Sequence, residues 1–178
     1  MRDTGNEVPQ ENVELVRRLY AELASEGTTH EFEQRLTDDA LSRFLDPGIE
    51  WVPVRHSLLA GESYRGFDGV RRFWGEFLST WERYGVELLS AYDAGNQVAV
   101  VVHIVGRTHE LEVDKTQSSL LTVRNRRVVR VQAFADPEGA REAAGWHLRR
   151  DAGVSQCAIS ASGVVSPRGA RFLSRASL

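Results

Sequence analysis

Three side chains in this sequence combine acid–base chemistry with a suggestive position: Glu50, His56 and His103. His103 interrupts a valine-rich run, where a histidine either finds a hydrogen-bond partner in the core or exchanges protons in a cavity. Glu50 is the one carboxylate in Ile49–Val54, a segment with the composition of a strand. We therefore name Glu50, His56 and His103 as candidate catalytic residues.

Each candidate also has a simpler explanation. Glu50 could form a salt bridge or face solvent, and His56 could be an exposed loop residue. If both histidines reached one cavity, His56 and His103 could form a pair suited to dehydration chemistry. The sequence leaves these alternatives open.

Other kinds of site are excluded by spacing. The histidines show neither HxxxH nor HExxH, and Cys157 is the single cysteine, so we predict no metal and no disulfide. Gly66 and Gly69 open a helix without the lysine of a phosphate-binding loop. No cofactor is expected.

Charge and hydropathy limit the partners. A formal net charge of −3 gives no basic surface for nucleic acid. The longest apolar runs, such as Val98–Val102, are too short to span a bilayer, and the first residues lack a secretory signal. We expect a cytoplasmic protein with no nucleic-acid or membrane partner.

The stretch from Tyr64 to Tyr84 carries the strongest periodic signal and has to position any site. Its large apolar side chains recur at helical spacing on one face: Val70, Phe73, Trp74, Phe77 and Trp81. This spacing predicts one amphipathic helix from Tyr64 to Tyr84. Such a row of rings fills a core or lines a pocket.

The segments before this helix predict further helices. Apolar residues at helical spacing predict a first helix that ends near Gly27. Thr28 and Glu31 have the spacing of a capping box, so a short helix should follow them. Thr37, followed by two aspartates, is a second start signal.

After Gly85 the spacing of apolar residues changes from helical to every second residue. This change predicts successive antiparallel strands at Val86–Tyr92, Gln97–Arg107, Glu112–Arg124 and Arg127–Ala135. Asp136 and Pro137 then predict the start of a last short helix, Glu138–Ala144. The order of elements predicts an α+β fold with helices on one face of a curved sheet.

We divide the chain into three parts on composition. Residues 1–10 are predicted to be a loose N-terminal segment, and residues 11–145 a single domain. Residues 146–178 are rich in serine, alanine, glycine and arginine without a sustained period, so we predict a poorly structured tail.

Four segments occur in a characteristic order: ENVELVRRLYAEL, ALSRFLDPGIEWVP, YRGFDGVRRFW and RVVRVQAFADPEGAREAAG. In this order they resemble the SnoaL-like branch of the nuclear transport factor 2-like superfamily. The resemblance covers roughly Glu11 to Gly145 and does not extend to the tail.

The resemblance implies a cone-shaped α+β barrel, in which a strongly bent, mainly antiparallel sheet wraps around the long helix. An apolar cavity would open at one end, and the convex face of the sheet would form a homodimer. Members include polyketide cyclases, ketosteroid isomerase, limonene epoxide hydrolase, scytalone dehydratase and many proteins without known activity. The fold therefore does not fix the function.

The family's catalytic positions transfer only in part. Alignment with ketosteroid isomerase places Tyr20 on the oxyanion tyrosine, Val52 on the base and Ser119 near the acid. The hydrogen-bond donor Tyr20 is therefore present, but a valine replaces the catalytic base. The stretch that matches the polyketide cyclase signature, Val131–Ala133, has no titratable group, and Asp136 should be engaged in capping. We find no Asp-Arg-Asp set for epoxide hydrolysis.

We predict that the cone holds a small hydrophobic molecule. The candidate ligand-binding residues are mostly rings that could face the cavity: Tyr20, Trp51, Tyr64, Phe73, Trp74, Phe77, Trp81, Ser119, Leu121 and Phe134. The first hypothesis is ligand binding without assigned chemistry. The alternatives are a cyclase, isomerase or dehydratase that acts on a polycyclic or terpenoid substrate, and a non-catalytic dimerisation module with a filled core.

Overall fold

The computed structural model describes residues 8–23, 27–54 and 63–145. The helices are α1 Val8–Leu23, α2 Thr29–Glu33, α3 Asp38–Phe44, α4 Gly66–Leu78 and α5 Gly139–Ala143. The strands are β1 Gly27–Thr28, β2 Leu45–Val52, β3 Tyr64–Arg65, β4 Arg83–Asp93, β5 Gln97–Arg107, β6 Glu112–Arg124 and β7 Arg127–Phe134. His56 and the predicted tail, residues 146–178, lie outside these ranges, and α1 begins three residues before the predicted domain boundary at residue 11.

All these strands belong to one sheet, in the order β1-β4-β5-β6-β7-β2-β3. Every pairing is antiparallel except that of β2 with β7, which is parallel. The two edge strands, β1 and β3, lie at opposite ends of this order, so the sheet is curved but not closed. The predicted α+β architecture, with a mainly antiparallel sheet around the long helix, is confirmed.

The antiparallel meander of β4 to β7 is held in register by tight turns. Asn125 and Arg126 connect β6 to β7 with φ angles of 50° and 59°, the left-handed pair that a two-residue hairpin turn requires. Between β4 and β5, the Asp93 carboxylate accepts a hydrogen bond from the Gly95 N–H at 2.8 Å. Both turns lie where the sequence predicts them.

The predicted starts of α2 and α3 are confirmed. The Thr28 hydroxyl accepts from the Glu31 N–H at 3.3 Å, and the Glu31 carboxylate accepts from the Thr28 N–H at 2.8 Å, which completes a capping box. The Thr37 hydroxyl accepts from the Ala40 N–H at 3.2 Å. The two caps therefore fix where the chain turns from one short helix into the next.

The central helix is shorter than predicted. It ends at Leu78 instead of continuing to Tyr84. The Ser79 and Thr80 hydroxyls donate to the carbonyls of Glu76 and Phe77, which satisfies backbone acceptors at the end of the helix. Tyr84 instead lies in β4, where it pairs with Gly27 on one side and Gly106 on the other.

The last helix begins one residue later and ends one residue earlier than predicted, at Gly139 and Ala143. The Asp136 carboxylate accepts hydrogen bonds from the N–H groups of Glu138 and Gly139 at 3.0 and 2.7 Å. Asp136 thus binds N–H groups at the helix start as expected, although the N-cap residue itself is Glu138, without a side-chain cap. The buried Ser118 hydroxyl connects β6 to the same region, since it donates to the Asp136 carbonyl and accepts from the Ala140 N–H.

Two apolar clusters occupy the two faces of the sheet. The larger one lies between the concave face and the helices α1 to α4. The smaller one centres on Ala99, Leu120 and Ala140, where α5 packs on the opposite face. Among the described residues, no helix is long and apolar enough to cross a membrane.

Candidate functional site

The concave side of the sheet encloses a cavity of about 510 Å³. Its lining comes mainly from α1, α4 and the long strands of the sheet, with single residues from α3 and the loop before it. The residues are mostly apolar: Leu19, Tyr20, Leu23, Leu36, Leu41, Leu45, Trp51, Pro53, Val54, Val70, Phe73, Trp74, Phe77, Trp81, Tyr84, Val86, Val102, Ile104, Val113, Lys115, Gln117, Ser119, Leu121, Val131, Ala133 and Ala135. The volume falls in the range of small-molecule sites.

The period of two decides which strand residues face this cavity. On β6 every second side chain from Val113 to Leu121 lines it. On β5 the inward residues include Val102 and Ile104, which lie directly opposite Gln117 and Lys115. Directly opposed residues of an antiparallel pair share a face, so register and lining agree.

The helix side of the cavity is a continuous network of rings. Phe73 stacks on Phe77 at 5.8 Å between ring centroids, and Phe77 meets Tyr84 edge-on at 5.2 Å. Trp51 extends the network to β2, with its ring 5.5 Å from Phe73 and 5.6 Å from Trp74. Such offset and edge-on pairs hold one another in place, so this side is a rigid apolar surface.

Tyr20 and Tyr84 keep their protons inside this surface. Burial raises the pKa of Tyr20 to about 12, and a hydrogen bond from the Ser119 side chain partly opposes that shift. Burial also raises the pKa of Tyr84, with a smaller contribution from the nearby Tyr20. At neutral pH both hydroxyls are therefore neutral groups that can donate hydrogen bonds.

The structure separates Glu50 from the cavity. Its carboxylate lies 3.1 Å from the Arg130 guanidinium and 3.3 Å from that of Arg65, and it is not among the lining residues. The salt-bridge alternative for Glu50 is the one that the structure supports. An ion pair across three neighbouring strands leaves no free carboxylate for proton transfer in the cavity.

His103 lies on the outer face of β5. Its Nε2 atom is 2.7 Å from the Asp114 carboxylate, and its Nδ1 atom is 4.0 Å from that of Glu87. The flanking residues Val102 and Ile104 face the cavity, so the alternation of the strand turns His103 away from it. Its candidate role as an acid or base in the cavity is therefore not supported.

Val52, the residue that aligns with the family's catalytic base, does not line the cavity, whereas Trp51, Pro53 and Val54 do. Leu45 also lines the cavity, six residues before Trp51, so the period of two along β2 turns Glu50 and Val52 to the other side. Glu50, the carboxylate of this strand, therefore does not take the position of the family's base.

Most of the residues that the sequence predicts to bind a ligand lie around the cavity. Most of its members line the cavity: Tyr20, Trp51, Phe73, Trp74, Phe77, Trp81, Ser119 and Leu121. Tyr64 and Phe134 do not. The Tyr64 hydroxyl donates to Glu76 at 2.8 Å behind the ring network, and Phe134 packs over Gly139 on the opposite face of the sheet.

Sequence reasoning missed the polar residues of β6. Lys115 and Gln117 line the cavity beside Ser119, and Lys115 is also exposed to solvent, which places it at the opening. Two signals could have found them. The period of two extends through this strand, and Lys115 is the single lysine among 22 basic residues.

Within the described part of the chain, no group of three or more histidine, cysteine, aspartate or glutamate residues could hold a metal ion. Among the described residues, the titratable ones that line the cavity are Lys115 and the two tyrosines. These groups can donate hydrogen bonds to an oxygen atom of a bound molecule, and the described lining contains no carboxylate or imidazole.

Comparison with known proteins identifies the fold. A family model described as a SnoaL-like domain matches residues 16–132, and no curated protein matches the sequence. Similar solved structures include Bal32a from a soil-derived mobile gene cassette (17% identity, 71% of this chain and 90% of that chain, TM-score 0.58). TerC co-crystallised with polyporic acid is also similar (16% identity, 76% and 98% coverage, TM-score 0.57). So is an NTF2-like protein from Burkholderia xenovorans LB400 (20% identity, 76% and 97% coverage, TM-score 0.53).

Proposed function

Because the chain belongs to the SnoaL-like domain family, we propose that it binds a small hydrophobic, ring-containing molecule in its cavity. The observation that carries this proposal is the open volume of about 510 Å³ beside a network of packed rings. An apolar guest would gain by leaving water, and flat rings suit the aromatic side of the cavity.

One structural neighbour bears on the proposal, since TerC was co-crystallised with polyporic acid. Extending the binding of a small molecule to this chain is part of the proposal. The chemistry of the guest has to be argued from this cavity's own residues.

The proposal favours binding over acid–base catalysis. A cyclase, isomerase or dehydratase of this family needs a group that removes a proton, and the two candidates among the described residues, Glu50 and His103, both lie outside the cavity. Tyr20 can polarise a carbonyl oxygen but remains protonated. A filled dimerisation module is the least supported alternative, because the cavity is open.

A cavity-filling substitution tests the proposal. Ala133 lines the cavity opposite Ser119, so Ala133→Trp places an indole in the space that a guest would use. The matched control is Ala143→Trp, the same substitution at an exposed position of α5. The probe is N-phenyl-1-naphthylamine, whose fluorescence rises in an apolar site.

We expect the wild type and Ala143→Trp to bind the probe and to melt at a higher temperature in its presence. Ala133→Trp should bind it more than about tenfold more weakly, because the indole occupies the volume. Circular dichroism establishes that the variant is folded. Equal probe affinity in all three proteins would contradict binding in this cavity.

We also propose that the protein pairs as a homodimer through the outer face of the sheet. Supporting this, Val101, His103 and Val105 form a half-buried row on β5 that no described helix covers. Sedimentation velocity at micromolar concentration should give twice the chain mass of 19.9 kDa. A monomer under these conditions would rule the pairing out.

A further inference from the structure

Lys115 has no carboxylate partner among the described residues, unlike several of the arginines. Several arginines are paired with carboxylates: Arg43 with Asp39, Arg65 with Glu50, Arg71 with Asp38, Arg107 with Glu112, and Arg141 with Glu138. Among the described residues, no carboxylate lies within 4.0 Å of the Lys115 ammonium group. Its positive charge is therefore available to a guest.

The position of Lys115 relative to the cavity is fixed by the sheet. It lies opposite Ile104, which lines the cavity, while the preceding residue, Asp114, faces outward to His103. Lys115 lines the cavity and is also exposed, so the ammonium group stands where the cavity meets solvent. A lysine there can keep its stem on apolar surface and its charge in water.

Three inward residues of β6 then form a polar line into the cavity. Gln117 follows Lys115 at the next inward position, and Ser119 follows Gln117. Ser119 hydrogen-bonds Tyr20, which ends the line deep in the cavity. The opposite side, on α4, is made of rings, so the cavity has one polar edge and one apolar face.

Building on the proposed function, we propose that the guest is an acidic ring compound. Its apolar rings would lie against α4, and an anionic group such as a carboxylate, sulfonate or enolate would bind Lys115 at the opening. Hydroxyl or carbonyl groups would meet Gln117, Ser119 and Tyr20 along β6. Because this ammonium–anion pair is partly exposed to water, it should add little affinity. Its main effect should be to favour anionic guests over neutral ones.

A pair of probes with the same ring system isolates the charge. 1-Anilinonaphthalene-8-sulfonate carries a sulfonate, and N-phenyl-1-naphthylamine has the same rings without it. Both are titrated by fluorescence into the wild type, Lys115→Met, Lys115→Arg and Arg124→Met. Lys115→Met keeps the apolar stem, and Arg124→Met removes one positive charge from an exposed position on the same strand outside the cavity.

We expect Lys115→Met to bind the sulfonate about fivefold more weakly and the neutral probe within about twofold of the wild type. Lys115→Arg should retain most of the sulfonate affinity, and Arg124→Met should retain nearly all of it. The loss in Lys115→Met should shrink as salt rises from 0.05 to about 0.5 M, because screening weakens the pair.

The outcomes separate the two proposals. If the neutral probe fails to bind the wild type, or binds Ala133→Trp equally well, cavity binding itself is wrong. If the neutral probe binds the cavity but Lys115→Met leaves the sulfonate affinity unchanged, the acidic-ligand proposal alone is overturned. An equal loss of both probes in Lys115→Met would assign Lys115 a packing role and would also overturn it.

Discussion

Above pH 10 the protein is expected to lose stability steeply, because two tyrosines buried at the cavity resist ionisation. The pKa of Tyr20 rises from 10.0 to about 12 in the folded state, and that of Tyr84 rises as well. Below pH 10 both residues are protonated in the folded and unfolded states, so their contribution to stability is fully present. As pH rises above 10, the unfolded chain releases these protons while the folded chain does not.

The size of the loss follows from the pKa shift. Each unit of difference is worth about 1.4 kcal/mol, so Tyr20 alone should lower the free energy of unfolding by about 2 kcal/mol by pH 12, where its folded-state hydroxyl is half ionised. Tyr84 should add a loss of the same sign, because burial raises its pKa as well.

Urea unfolding at a series of pH values from 8 to 11.5 measures the effect. Tyr20→Phe and Tyr84→Phe should each flatten the decline of unfolding free energy above pH 10, and the double variant should flatten it most. Tyr92→Phe removes a half-buried tyrosine outside the cavity and serves as the control. A double variant with the wild-type slope would show that these tyrosines titrate normally when folded.

The strands of the meander could be predicted closely from the sequence. The bounds of β5 and β6 are those that the period of two and the turn residues indicate. These features are local, because a two-residue turn at Asn125 and Arg126 fixes the register of its neighbours without help from the rest of the chain. The capping box at Thr28 is local for the same reason.

The face that a strand presents could not be predicted where both faces are apolar. From Val98 to Val105 the sequence offers apolar residues on both sides of His103. The physical reason is that α5 covers part of the outer face, so residues such as Ala99 are buried there as deeply as those facing the cavity. Alternation then does not show which side faces the cavity, so the sequence alone leaves the side of His103 open.

The cavity-facing residues of α4 could be predicted, because one face of this helix is apolar and the other is charged. Phe73, Trp74 and Phe77 share one face of α4, and the opposite face is charged. The end of that helix could not be predicted the same way. Trp81 continues the apolar spacing beyond Leu78, but it does so from a turn, where the Ser79 and Thr80 hydroxyls bond the last carbonyls.

Trp81 keeps its place in the cavity lining because Gly106 has no side chain. Gly106 is buried on β5, two residues beyond Ile104 and therefore on the same inward face. A methyl group on Gly106 would stand 2.6 and 2.7 Å from two ring atoms of Trp81, closer than any real contact. The indole is packed between Phe77 and Tyr84, so it cannot move aside without disturbing both rings.

We expect Gly106→Ala to lower the free energy of unfolding by about 3 kcal/mol, because overpacking displaces the Trp81 ring. Gly75→Ala makes the same chemical change on α4, where nothing lies within 4 Å of the added methyl group. For this variant we expect the free energy of unfolding to rise by about 1 kcal/mol, since alanine stabilises a helix interior more than glycine does. Urea unfolding of the two variants should therefore give opposite signs.

A probe titration distinguishes damage to the site from general loss of stability. At a temperature where both variants remain folded, Gly106→Ala should bind N-phenyl-1-naphthylamine more weakly, because the displaced Trp81 changes the shape of the cavity that it lines. Gly75→Ala should bind it like the wild type. If Gly106→Ala were as stable as the wild type and bound the probe equally well, the close packing of Trp81 against β5 would be contradicted. The aromatic side of the cavity would then not be rigid at Trp81.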